Sequence, residues 1–159
     1  MKRKILKFIT TGFYSGLAPK APGTCGSLAY LIIWLLLLQH SFYLELIAFL
    51  LVTIGGYLAT ATYLQFLRDK SSDPKNLHLD PSYVVIDEWA GMALPLFLAN
   101  TAEPLIILLA FTLFRLLDIW KPWLIGKADN LPGAMGIMAD DLLAGVLATI
   151  LLLPFIALL

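Results

Sequence analysis

The sequence predicts an all-α, polytopic membrane bundle of about four to five helices, with the N-terminus cytoplasmic. Three observations predict it. Hydrophobic residues make up 60% of the 159 positions and charged residues only 14%, with a mean hydropathy of +0.84; an ordinary soluble domain carries about 25% charged residues. Five apolar stretches follow one another between helix breakers, and the basic residues all fall on one side of them. The length suits one domain, residues 1–159.

The stretches are Ser27–Leu38, Tyr43–Leu67, Val84–Ala99, Leu105–Trp120 and Ile137–Leu159. A spanning helix needs about 20 mostly apolar residues. The second and fifth meet this, and the third and fourth reach it with flanking residues. The first spans only if it extends through Gln39 to Tyr43; otherwise it is re-entrant or interfacial. Breakers separate the stretches: Ala21-Pro22-Gly23, Asp73-Pro74, Asp80-Pro81, Glu103-Pro104, Lys121-Pro122 and Leu131-Pro132-Gly133. Lys2, Arg3, Lys4 and Lys7 make the N-terminus basic. The following Phe8–Ala18 holds Thr10, Thr11, Gly12, Ser15 and Gly16, a poor apolar core for a cleavable signal.

With the N-terminus inside and five spans, residues 1–26, 68–83 and 121–136 lie inside. Lys2, Arg3, Lys4, Lys7, Lys20, Arg68, Lys70, Lys75, Lys121 and Lys127 fall in these segments. Arg115 lies near the inner end of the fourth span. All eleven basic residues thus sit on the cytoplasmic side, as the positive-inside rule requires.

Several chemistries are excluded. Zero net charge gives no reason to expect a nucleic-acid partner. The single cysteine, Cys25, cannot form an intrachain disulfide or a multi-cysteine metal site. Leu31, not arginine, stands six residues after it, so a cysteine-phosphatase loop is absent. His40 falls on the outer side, and His78 reads as a solvated loop residue without a second histidine. There is no Walker loop.

The polar residues that remain gather at the inner helix ends. Asp87 and Glu88 open the third span, Asp118 closes the fourth beside Arg115 and Lys121, and Asp140 and Asp141 open the fifth. Singly, each cluster has a plain reading: first-turn acids favoured by the helix dipole, or an i,i+3 ion pair between Arg115 and Asp118. Together, five carboxylates face two close cations at one depth, and like-charge repulsion would penalise their ionised forms. A hard divalent cation relieves this, and oxygen-only ligands favour Mg²⁺, Mn²⁺ or Ca²⁺ over zinc. Asp87, Glu88, Asp118, Asp140 and Asp141 are therefore the expected metal ligands. The Gly/Pro-rich run Ser15–Ser27 feeds a helix start on the same face. It is either an ordinary helix-start turn or a phosphate cradle, in which Thr24 and Ser27 add hydroxyls and Lys20 adds charge. A lipid phosphatase fits these features. The alternative is a small transporter or ion-path subunit using intramembrane carboxylates, but the acids cluster at one end, whereas transporter sites lie near the midplane.

Four motifs in order resemble the phosphatidylglycerophosphatase A family. They are Ser15-Gly16 through Pro22-Gly23-Thr24-x-Gly26-Ser27; Asp87-Glu88-x-x-Gly91-Met92; Phe114-Arg115-x-x-Asp118-x-x-Lys121-Pro122; and Gly133-x-Met135-Gly136-Ile137-Met138-x-Asp140-Asp141-x-x-Ala144-Gly145. The resemblance covers about residues 10–147, with Ala134 where glycine is expected and Cys25 at a variable position. It implies a Mg²⁺-dependent enzyme of the bacterial inner membrane, multi-pass, with its active site facing the cytoplasm. Such an enzyme converts phosphatidylglycerophosphate into phosphatidylglycerol and inorganic phosphate, with phospholipids as its partners and its oligomeric state left open. The expected catalytic residues are Asp87, Asp118, Asp140, Asp141, Arg115 and Lys121. Arg115 and Lys121 would hold the phosphate with Thr24, Ser27 and Lys20. Water attack and an aspartyl-phosphate route through Asp140 or Asp141 both remain open.

Overall fold

The computed structural model describes residues 2–71, 81–99 and 103–158, and these are all-helical. Seven helices follow in order: α1 Lys2–Thr10, α2 Pro22–Leu38, α3 Phe42–Asp69, α4 Ile86–Leu98, α5 Pro104–Trp120, α6 Leu124–Asp129 and α7 Ala134–Ala157. Lys75, His78, and the breakers Asp73-Pro74 and Asp80 lie outside the described residues.

Two helices, α3 and α7, are long and apolar enough to cross a membrane, and α2 is a shorter apolar helix. Each expected apolar stretch lies within or largely overlaps one helix, and the helix boundaries follow local chemistry. Pro22 and Pro104 stand in the first turns of α2 and α5, where a missing N–H costs nothing. Ser41 caps α3 by accepting from the Leu44 amide at 3.5 Å. Gly133 opens α7 at φ 63° and ψ −142°, a conformation essentially reserved for glycine. Two π turns interrupt the ladders, at Trp34–Leu38 in α2 and Leu51–Gly55 in α3.

Helix α1 lies outside the five expected apolar stretches. Its last carbonyl, Thr10 O, accepts from the Val85 amide at 2.9 Å. The Arg3 guanidinium lies 5.6 Å from the Phe66 ring centre and the Lys7 ammonium 5.8 Å from that of Tyr83. These contacts dock the basic helix along the C-terminal part of α3 and the segment before α4.

The core forms where α7 packs on α4, α5 and α6. The tightest crossing is α4 on α7. A Cβ at Gly91 would stand 2.5 Å from the Asp141 carbonyl oxygen, and a Cβ at Gly145 would collide with the Gly91 carbonyl oxygen. Ala90, Ala144 and Ala148 are fully buried. Small residues that let two backbones touch are the usual way for apolar helices to associate when water does not drive them together.

Candidate active site

Asp87 lies one turn before Gly91, and Asp141 one turn before Gly145. Because the two glycines meet, the crossing brings both carboxylates to one level, and α4 and α7 run parallel. The side chains then converge. One oxygen from each of Asp87, Glu88 and Asp141 lies within 4.8 Å of the other two, and the same holds for Asp118, Asp140 and Asp141. Asp141 belongs to both groups, so it links a cluster drawn from three helices. The four aspartates are 3–9% exposed.

Arg115 and Asp118 share a face of α5, and their ion pair measures 2.6 Å. The same Arg115 Nη1 is 3.9 Å from Glu88 Oε1 and donates to Ser27 Oγ at 3.2 Å. Ser27 in turn donates to the Gly23 carbonyl at 2.9 Å. Gly23 itself packs against Glu88, and a Cβ there would stand 3.1 Å from Arg115 Nη2. The N-terminus of α2 therefore abuts the cluster.

Lys121 ends α5 in a left-handed conformation, φ 48°. Its Nζ donates to Asp140 Oδ2 at 2.7 Å and to Asp129 Oδ1. Partial burial works against the ammonium, but its bonds to Asp129 and Asp140 and their negative charges outweigh this and hold Lys121 above its usual range.

Seven of the expected residues thus meet in one constellation: Asp87, Glu88, Asp118, Asp140, Asp141, Arg115 and Lys121. Ser27 joins them through Arg115. Thr24, in the first turn of α2, is half-buried and its hydroxyl makes no hydrogen bond among the described residues. Lys20 is exposed and forms no ion pair among the described residues. Asp87 and Asp140 fall in different groups and are joined through Asp141.

Two polar residues escaped the sequence reading. Asp129 reaches Lys121 from the end of α6, across a turn with no periodic relation to it. Glu45 is 2% exposed and accepts from Trp34 Nε1 at 2.8 Å, at the opposite end of α2 from Gly23. A lone acid inside an apolar run was the available signal.

The acids offer oxygen donors only. Asp87 Oδ1, Glu88 Oε2 and Asp140 Oδ1 are buried without a hydrogen-bond partner among the described residues. Buried carboxylate oxygens without partners are costly, and hard-cation binding at the two carboxylate groups would relieve that cost, so the residues fit Mg²⁺.

Fold and site together define an apolar helical protein with membrane-length helices and a buried, carboxylate-rich, cation-flanked centre. The chain belongs to the phosphatidylglycerophosphatase A family, whose pattern matches residues 8–156. It is 38% identical over 143 residues to the phosphatidylglycerophosphatase A of Escherichia coli K12, covering 88% of this chain and 77% of that one. It is 36% identical over 146 residues to the Haemophilus influenzae protein of the same name, covering 91% and 85%. A Bacteroides thetaiotaomicron protein provisionally named phosphatidylinositol-3-phosphatase is 38% identical over 146 residues, covering 91% and 89%. No solved structure matches.

Proposed function

We propose that this chain is a multi-pass enzyme of the bacterial inner membrane that hydrolyses the terminal phosphomonoester of phosphatidylglycerophosphate. The products are phosphatidylglycerol and inorganic phosphate, a step of phospholipid synthesis. One observation carries the reading: Asp141 joins two carboxylate groups that are tied to Arg115 and Lys121, within a family named for this reaction. Four or five helices cross the bilayer, the N-terminus is cytoplasmic, and the site faces the inner headgroups. The placement of all eleven basic residues supports this orientation.

Asp87, Glu88, Asp118, Asp140 and Asp141 would hold Mg²⁺. When bound, the metal supplies Lewis-acid polarisation of phosphate oxygens and a more acidic water. The chain's own residues do the rest. Arg115 and Lys121 bind the phosphate oxygens and offset the charge that develops on them. Thr24, Ser27 and the α2 N-terminus complete the cradle, with Lys20 at its rim. Lys121 holds Asp140 through Oδ2, and the proton given up by the attacking water passes to the carboxylate cluster. The water oxygen bonds to phosphorus, the phosphorus–oxygen bond to the glycerol breaks, and the departing oxygen takes back the proton that the cluster removed from the water.

The test is phosphate release by the purified protein with Mg²⁺ and with EDTA. The substrates are phosphatidylglycerophosphate, phosphatidic acid and phosphatidylinositol 3-phosphate. Release confined to Mg²⁺ and greatest for phosphatidylglycerophosphate is expected. No release from it overturns the reading, and preference for the inositol lipid reassigns the substrate. Rapid quench with labelled substrate separates the chemical routes: trapped phosphoprotein sinks direct water attack.

A further inference from the structure

Lys121 stands between a buried and an exposed carboxylate. Its Nζ donates to Asp140 Oδ2 at 2.7 Å and to Asp129 Oδ1. The Asp140 side chain is 5% exposed, that of Asp129 39% and that of Lys121 itself 33%. Asp140 belongs to the carboxylate group with Asp118 and Asp141, and Asp129 belongs to neither group. The ammonium is therefore held by one acid from within the cluster and by another from its rim.

Asp129 is not a loose surface acid. It ends α6, in which Ile125 is fully buried and Ala128 nearly so. A Cβ on Gly126 would stand 2.9 Å from the Lys121 carbonyl oxygen, so α6 packs directly on the backbone of the residue that Asp129 holds. A Cβ on Gly136 would stand 3.1 Å from the Asp129 carbonyl oxygen, so α7 abuts Asp129 as well. The Leu131 amide donates to the Ala128 carbonyl at 2.9 Å, and Asn130 Nδ2 to the Gly126 carbonyl at 2.6 Å. The same backbone contacts thus fix Asp129 relative to Lys121 on one side and to the helix carrying Asp140 on the other.

A lysine ammonium has three donors on a flexible four-carbon stem. A single partner fixes neither the stem nor the rotation of the head about its last bond. Two acids from different helices spend two N–H bonds and leave the third with one direction. Without Asp129 the ammonium would pair only with Asp140 and turn toward the cluster's own negative charge. The Lys121–Asp129 pair adds little to folding, because ion pairs this exposed are hydrated and screened. What it contributes is aim.

We propose that Asp129 is a positioning residue of the phosphatase: it holds the Lys121 ammonium at the rim of the cluster, with the third N–H free for a phosphate oxygen. The inference rests on the phosphatase reading above. It adds a member from α6 to a site otherwise built on α2, α4, α5 and α7.

The test measures KM and kcat for phosphatidylglycerophosphate in Mg²⁺ and detergent, and competitive inhibition by inorganic phosphate. Asp129→Ala removes the tether and Asp129→Glu keeps its charge. Asn130→Ala is the control, because it removes a side-chain bond within α6 that does not involve Lys121. In Asp129→Ala, KM for the lipid and the inhibition constant of phosphate are both expected to rise about tenfold, the scale of one hydrogen bond to a charged group. The melting temperature stays that of the wild type, and Asp129→Glu recovers most of the loss. A merely structural role would lower the active fraction, and so kcat, and leave KM and the inhibition constant unmoved; that outcome overturns the proposal. So does wild-type behaviour of Asp129→Ala, a rise matched by Asn130→Ala, or an Asp129→Glu variant as impaired as Asp129→Ala. A wild-type enzyme that releases no phosphate overturns the phosphatase reading, and the proposal with it.

Discussion

Gly91 of α4 meets Gly145 of α7 backbone to backbone, and each lies one turn beyond a buried aspartate of the same cluster. The crossing is thus both the tightest packing contact between the two helices and the device that sets Asp87 beside Asp141. Gly145→Ala forces a methyl group against the Gly91 carbonyl. Overpacking of this kind costs about 1–3 kcal/mol. A lower melting temperature in detergent and reduced turnover are expected, with Gly91→Ala behaving alike. An unchanged melting temperature in both variants would show that the helices can separate at no cost.

Asp141 serves both carboxylate groups, so its loss should disable both. Asp141→Asn is expected to lower kcat by more than about a hundredfold, the upper end of losses seen for mere outer-shell partners of a metal. Steady-state phosphate release measures this. Activity within tenfold of wild type would mean that the two groups work independently.

Mg²⁺ should stabilise the folded protein apart from any effect on turnover. A cation bound only by the folded state raises stability with its concentration. A melting temperature higher in Mg²⁺ than in EDTA is expected for the wild type, and a smaller difference for Asp141→Asn. Equal melting temperatures in the two buffers would speak against a site built from these oxygens.

Arg115→Lys keeps the charge but loses the planar fork. A single guanidinium nitrogen pairs with Asp118 at 2.6 Å, reaches Glu88 at 3.9 Å and donates to Ser27 at 3.2 Å. A lysine ammonium is a point donor on a different stem. The expected result is a loss of kcat/KM of about tenfold or more, or about 1.4 kcal/mol, with folding intact by thermal melt. Wild-type kinetics would reduce Arg115 to a generic cation.

Trp34→Phe tests the polar pair outside the site. It removes the only hydrogen bond to the Glu45 carboxylate among the described residues and leaves both its oxygens unpartnered. An orphaned buried acceptor costs about 1–3 kcal/mol. A lower melting temperature with unchanged kcat is expected, with stability recovered on adding Glu45→Leu. A fall in kcat at full stability would connect this pair to the chemistry.

Much of the site was legible because its residues announce themselves against an apolar background. Asp87, Glu88, Asp140 and Asp141 stand at the starts of greasy stretches, and the i,i+3 spacing of Arg115 and Asp118 fixes their pairing on any helix. The helices could be read for the same reason: apolar runs bounded by Pro22, Pro104 and Gly133 leave little freedom. Other features depend on the tertiary path. Asp129 meets Lys121 only because Lys121 and Trp123, both at positive φ, reverse the chain after α5. Glu45 meets Trp34 only through the turn between α2 and α3. The amphipathic α1 lay in a segment whose basic residues carried the topology argument and hid its helical pattern.

The meeting of Gly23 with Glu88 also changes the electrical character of the site. Helices α2 and α4 both begin there, and each helix start is equivalent to roughly half a positive charge. Two such ends contribute about one unit between them, spread over backbone amides that cannot titrate or move away. Five carboxylates against Arg115 and Lys121 look prohibitively negative when counted by side chains alone. The fold itself contributes a fixed counter-field, and an incoming anion would meet a less hostile cavity than its formal charges suggest.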